Sequence, residues 1–356
     1  MNYRYQFPVV KGTQSGRDYY IAMVPLGMLT KLFPEDFEYV PPEYRAQRKL
    51  NEARIPEIKR YILENRDNYV FSALAASIDG NYIFKPIYQN EIGILEVDMD
   101  AKFLINDGQH RKAAILAAIE ESPELADETI SVVFYEDKGL ERSQQMFTDL
   151  NKHAVKTSNS IAELYDFRDA LAVATRNMVL GISFLNEYVD KERDNLGKFS
   201  SSLFTLNTFY NANKRILRRN VCDAKFDNFI NDFWRCVTKY MTPWKEVELK
   251  ELSKIDLRER YIASQAVIIQ ALGKVGAFLY DVDSYDLDTV LFGLTEINWK
   301  RSNSVWKLRV IGNNGRMVNS EKAITLATIA IKQMLGLKLT EDEEFQEENF
   351  KKYNSK

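Results

Sequence analysis

Two cysteines, two histidines and a net charge of only −3 are spread over 356 residues, and each scarcity removes a class of function. If Val221 to Tyr240 is one helix, Cys222 and Cys236 lie about 21 Å apart along its axis, beyond the reach of a disulfide. The chain is therefore expected to be cytoplasmic, with reduced thiols. No C-x-x-C, H-x-x-x-H or H-E-x-x-H occurs, so a zinc site built from Cys and His is not expected. Long apolar runs are missing too. Ala266 to Tyr280 is interrupted by Gln270, Lys274 and two glycines and is too short to span a bilayer, and the N-terminus lacks a basic-then-apolar leader pattern. No membrane partner is expected. With 48 Lys and Arg against 51 Asp and Glu, any nucleic-acid surface must be a local patch on an acidic body.

What is present is core material: 45% of the residues are apolar and 12% aromatic, enough for two or three domains. Tyr3, Tyr5, Phe7 and Val9 alternate with a period of two, and Asp18 to Val24, Tyr69 to Ile78, Tyr82 to Tyr88, Ile92 to Val97 and Ser131 to Tyr135 also read as strands. Arg54 to Asn65 is an amphipathic helix with Pro56 in its first turn. Residues 35–50 form a loop rich in proline and charge, either solvated surface or a lid. Glu120 to Thr129 reads as an acidic exposed loop, and Gly139 to Leu150 as a helix. Beyond Ser158 helix formers dominate and strand signals nearly vanish. The expected class is α+β, with a mixed-sheet domain over 1–157 and a mainly helical region over 158–356. The acidic stretch Thr340 to Asn349 shows no apolar period and is expected to fray.

The stretch Phe103 to Ile119 reads as strand, tight turn and helix. A helix N-terminus carries unpaired amides and the positive end of the macrodipole, so an anion at Gly108 to Arg111 would meet oriented donors. Gly108 admits close approach to the main chain, while His110 and Arg111 add side-chain donors and Arg can grip a phosphate bidentately. The alternative is that Asp107 caps the helix and the two basic residues pair with carboxylates elsewhere. Further along, Asn151, Lys152 and Lys156 follow a helix, where they could reach a phosphate or its metal, or serve only as a C-cap and dipole partners.

Two basic clusters stand out. Arg215, Arg218 and Arg219 fall on one face of a helix over Ser202 to Arg219, by their i, i+3, i+4 spacing, and read as solvated surface or as contacts to a phosphate backbone. Lys300 and Arg301 stand between Trp299 and Trp306, aromatic rings that could stack bases or pack a core.

Asp107-Gly-Gln-His-Arg111 resembles the signature of the DGQHR-domain proteins. Phe147-x-Asp-Leu-Asn151, Ser160-Ile-Ala-Glu-Leu-Tyr-Asp166, Asn298-Trp-x-Arg-Ser-Asn303 and Ile331-Lys-x-x-Leu-Gly-Leu337 look like the DndB family, encoded with the DNA phosphorothioation machinery. This resemblance covers essentially the whole chain. It implies an N-terminal domain distantly related to ParB and sulfiredoxin, and a transcriptional repressor that binds double-stranded DNA at the promoter of its own gene cluster. Carried over, Gly108, His110 and Arg111 would grip phosphate, with Gln109 beside them and Asn151 on the metal side. Asp107 departs from the sulfiredoxin pattern, and Gln109 stands where sulfiredoxin has its cysteine, so that chemistry is excluded for want of a thiol. No helix-turn-helix of the ParB kind is evident after Ser158.

Three functions follow as expectations. The first is a DNA-binding regulator with a phosphate or nucleotide site. The second is a slow NTPase taking ATP or CTP with Mg²⁺, in which Asp107, His110, Arg111, Asn151 and Lys152 position the phosphates. The third is a scaffold for other phosphorothioation proteins. Whether the chain forms a homo-oligomer is left open.

Overall fold

The computed structural model describes residues 3–34, 52–136, 145–146, 157–197, 199–282 and 285–354. The chain divides into two compact units, Met1–Val155 and Lys156–Lys356. The first is built on a seven-stranded mixed sheet and the second is mostly helical, an α+β organisation.

In the first unit β1 (Arg4–Gln14), β2 (Arg17–Pro25), β3 (Leu74–Asp79), β4 (Tyr82–Tyr88), β5 (Ile92–Asp98), β6 (Lys102–Asp107) and β7 (Thr129–Glu136) are ordered β4-β5-β1-β2-β7-β3-β6. Every pairing is antiparallel except β3 with β7. The period of two in β1 is real: Phe7 and Val9 are buried while Pro8 and Val10 face out. After the short α1 (Leu29–Leu32), α2 (Ile55–Glu64) contributes Ile62 and α3 (Gln109–Glu121) contributes Ile115 and Ala118 to the core that Phe7, Phe134 and Leu95 share.

Two boundaries differ from the sequence reading. β3 begins at Leu74 rather than Tyr69, because Ser72 and Ala73 spend their carbonyls on a side chain, Arg111, while Phe71 packs on the rings of Tyr61 and Tyr69. The segment after Glu120 is not all exposed loop, since α3 runs to Glu121 and a 3-10 turn over Pro123–Asp127 buries Leu125.

The second unit runs through α4 (Asn159–Tyr165), α5 (Ala170–Gly181), α6 (Ser183–Tyr188), α7 (Leu206–Leu217), α8 (Ala224–Tyr240), α9 (Thr242–Glu248), α10 (Lys254–Arg260), α11 (Ala266–Asp281), α12 (Leu287–Phe292), α13 (Glu321–Met334) and α14 (Glu341–Asn354). The long apolar run of the sequence is α11, buried almost all round between α7 and α13. Gly273 permits that packing: a Cβ there would stand 2.5 Å from the Ala212 carbonyl oxygen. Among the described residues no helix is long and apolar enough to cross a membrane. Cys222 precedes α8, which Asp223 caps, and both cysteines are free thiols.

Trp299 and Trp306 pack a core rather than wait for bases. Their rings stack at 5.6 Å with an interplanar angle of 11°, and their indole N–H groups donate to the carbonyls of Leu294 at 3.2 Å and Asn298 at 2.8 Å. The acidic tail is not frayed but forms α14, for a reason developed below. Replacing Trp306 by Ala is expected to destabilise the protein by about 3–5 kcal/mol in urea unfolding; a loss below about 1 kcal/mol would mean that the ring pair is not core.

Candidate functional site

The turn between β6 and α3 is shaped by its own residues. Ala75 pairs with Asp107 and Ala76 with Ile105, so Asn106 is the extra residue of a β-bulge. Its side chain points into the interior, where Nδ2 donates to Ser77 Oγ at 2.6 Å. Its Oδ1 and the Nε2 of Gln109 are buried and have no partner among the described residues. Gly108 then turns the chain with φ +103°, a conformation that L side chains rarely adopt. A Cβ at that position would also lie 2.3 Å from Leu74 Cδ2. Glycine is thus required twice over.

As N-cap, Gly108 offers the first-turn amides no side-chain acceptor, and no acid stands in that turn. The positive end of a thirteen-residue helix therefore opens at Gln109 to Arg111 without a carboxylate of its own. Asp107 does not cap α3. Its carboxylate accepts from Arg111 Nη2 at 2.6 Å. Arg111 Nη1 donates to the carbonyls of Ser72 at 2.7 Å and Ala73 at 3.1 Å, and to the Ser72 hydroxyl. With its side chain only 16% exposed, the guanidinium braces the corner. His110 is half-buried in the same turn. Asn151, Lys152 and Lys156, on which a metal-side role would rest, lie outside the described residues, as does the 35–50 loop.

The basic clusters come out differently from their sequence reading. α7 ends at Leu217, and Arg218 turns away as its C-cap with φ +50°, so the three arginines do not share one helical face. Arg215 donates to Gln270 and forms two bonds of 2.8–2.9 Å to Glu321. Arg215, together with Lys274, holds the Glu321 carboxyl down at about 2. Arg218 pairs with Asp281 at 2.7 Å, and Arg219 is exposed. Lys300 is exposed beside a bridge to Tyr261, while Arg301 is half-buried, its Nε without a partner among the described residues and its pKa lowered by burial.

Sequence reasoning passed over Glu163, although it stands within the Ser160 to Asp166 motif. Asp194 accepts the amides of Asn159 and Ser160 at the start of α4, and Asp169 caps α5 and accepts the Tyr210 hydroxyl at 2.6 Å. Glu163 sits half-buried near both, with Oε2 unpartnered among the described residues. Burial first, and then the charges of Asp194 and Asp169, push its pKa up to about 8. Among the described residues no group of three or more His, Cys, Asp or Glu could hold a metal ion.

A family model, DndB, described as DNA-sulfur modification-associated, matches residues 7–338. No curated protein and no solved structure matches the chain.

Glu163 makes stability depend on pH with a defined sign. Its proton is kept to about pH 8 in the fold but leaves near 4.5 in the unfolded chain, so the fold loses stability as pH rises from 4.5 to 8. Thermal unfolding of Glu163→Gln is expected to show a higher Tm than the wild type at pH 8, the gap closing as pH falls towards 4.5. Parallel Tm profiles across that range would contradict a buried neutral carboxyl.

Proposed function

From the premise that the chain belongs to the DndB family of DNA-sulfur modification-associated proteins, we propose that it is a DNA-binding transcriptional repressor of its modification gene cluster, with a phosphate site at the β6–α3 turn. The observation that carries the site is the start of α3: a glycine N-cap at φ +103°, no acid in the first turn and no side-chain cap. A phosphate oxygen there completes the amides that the turn's own side chains leave to others. Arg111 fixes the wall of the site and adds a partly shielded positive charge; His110 stands in the first turn. Duplex DNA at the cluster's promoter supplies the phosphate, and other phosphorothioation proteins are partners of the same system.

A nucleotide is the second reading. It is favoured by one observation, the buried acceptor Asn106 Oδ1 and donor Gln109 Nε2 that flank the turn without partners among the described residues. ATP or CTP with Mg²⁺ would bring both phosphates and polar base edges to such a site.

Gln109→Glu places a negative charge at the turn. A carboxylate at the first helical position favours the dipole but repels phosphate. In gel shifts on the promoter of the chain's own cluster, the wild type is expected to bind with a steep salt dependence. Gln109→Glu should bind about tenfold more weakly, with the log–log salt slope lower by about 0.9, one phosphate contact. Because the end of this side chain is buried, the carboxylate is also expected to lower the melting temperature, and the slope is compared at a temperature where both proteins are folded. No wild-type shift at low salt would end the reading, and an unaltered slope in the variant would remove the turn from it. Release of inorganic phosphate from ATP or CTP above background would favour the nucleotide.

A further inference from the structure

Three of the cations of the helical unit are answered by carboxylates from elsewhere in the fold: Arg215 and Lys274 by Glu321, and Arg218 by Asp281. Two more are answered by α14. Arg309, 8% exposed, forms a fork-on-fork pair with Glu347 at 2.6 and 2.7 Å. Lys332, 1% exposed, bonds Glu343 at 2.5 Å, with its ammonium 4.1 Å from the centre of the Phe278 ring.

α14 is attached unlike the other long helices of the unit. None of its aromatic residues Phe345, Phe350 and Tyr353 joins the hydrophobic core, and Phe345 and Tyr353 are 64% and 83% exposed. Phe350 stacks on the Arg309 guanidinium at 4.1 Å instead. A cleft of about 460 Å³ lies along the contact, lined by Val305, Arg309, Gln333, Met334, Glu347 and Phe350. The family match stops at residue 338, before the helix begins at Glu341. An element held by ion pairs, with little apolar area to lose, detaches at low cost, because the gain of a buried pair roughly offsets the desolvation of its charges.

We propose that α14 is an acidic strap over an interaction surface for nucleic-acid phosphates, whose cations are Arg309 and Lys332. Glu343 and Glu347 stand one helical turn apart on a helix that also carries Glu341, Asp342, Glu344 and Glu348. That makes a rod of negative charge lying where a polyanion would lie. The Arg309 fork accepts a phosphate with the same geometry it now gives a carboxylate, and Lys332 supplies a point charge beside it. Lys338 and Leu339, between Leu337, anchored in the core, and the Thr340–Glu343 capping bonds, are the connection on which the strap swings. With the strap on, the surface is closed to DNA; with it off, two more phosphates are held. This inference rests on the DNA-binding reading above and names a regulation of it.

The test uses the full chain. Glu343→Gln/Glu347→Gln keeps the shape of both side chains and removes their charge. Hydrogen exchange over Glu341–Asn354 is expected to quicken. Anisotropy with a fluorescein-labelled random-sequence duplex should show about tenfold tighter binding at low salt, with a log–log salt slope steeper by about 1.8, two phosphate contacts. Adding Arg309→Gln/Lys332→Gln should abolish both gains in binding. Unchanged exchange, or faster exchange with unchanged affinity and slope, would overturn the strap. If the wild type shifts its own promoter and the double variant merely equals it on the duplex, the strap fails and the repressor stands. If neither protein binds any duplex at low salt, both fall.

Discussion

Arg111 reaches back across the first turn of α3 to the carbonyls of Ser72 and Ala73 and to the carboxylate of Asp107, and these bonds make the ends of β3 and β6 and the start of α3 one rigid corner. Without them the backbone before Leu74 would be free to lengthen β3. The Gly108 turn, pressed against Leu74, would also lose its register. A phosphate site made of main-chain amides depends on such rigidity, since those donors gain only when already aimed. On the reading proposed above, Arg111 serves as a brace rather than as a ligand, and the helix dipole would do the attracting.

The same economy of charge runs through the helical unit. A chain with nearly equal numbers of acids and bases matches Arg215, Arg218, Arg309 and Lys332 to carboxylates on other elements of the fold. What distinguishes the last two is that their partners ride on one helix with no side chain in the core. Glu163 shows the opposite solution, a carboxyl with no cation beside it among the described residues, whose pKa is raised by burial.

Much of the first unit is readable in the sequence because one face of its sheet is buried: the alternation of β1 and the extent of β4 follow from Phe7, Val9 and the run Tyr82–Tyr88. The strand–turn–helix order of Phe103 to Ile119 is legible for the same reason, and Gly108 marks its turn. The carbonyl partners of Arg111 are not legible, since they lie 38 and 39 residues upstream and no local pattern announces them; only Asp107 is a neighbour in sequence. Arg215 to Arg219 mislead because helical spacing assumes that the helix continues, and α7 stops at Leu217. The tail misleads for a related reason: what orders α14 is Arg309, 38 residues before Glu347, and an ion pair leaves no apolar period to read. Trp299 and Trp306 could be assigned to core only once their indole donors were seen to end on carbonyls of the same loop region.

The central claim is that the amides opening α3 meet a phosphate. Backbone amide resonances of the full chain, followed by NMR while promoter duplex is titrated in, test it most directly. The account predicts that Gly108, Gln109, His110 and Arg111 shift early and saturably, and return as salt is raised. If these four stay in place while other amides shift and saturate, the phosphate lies elsewhere and the account is wrong.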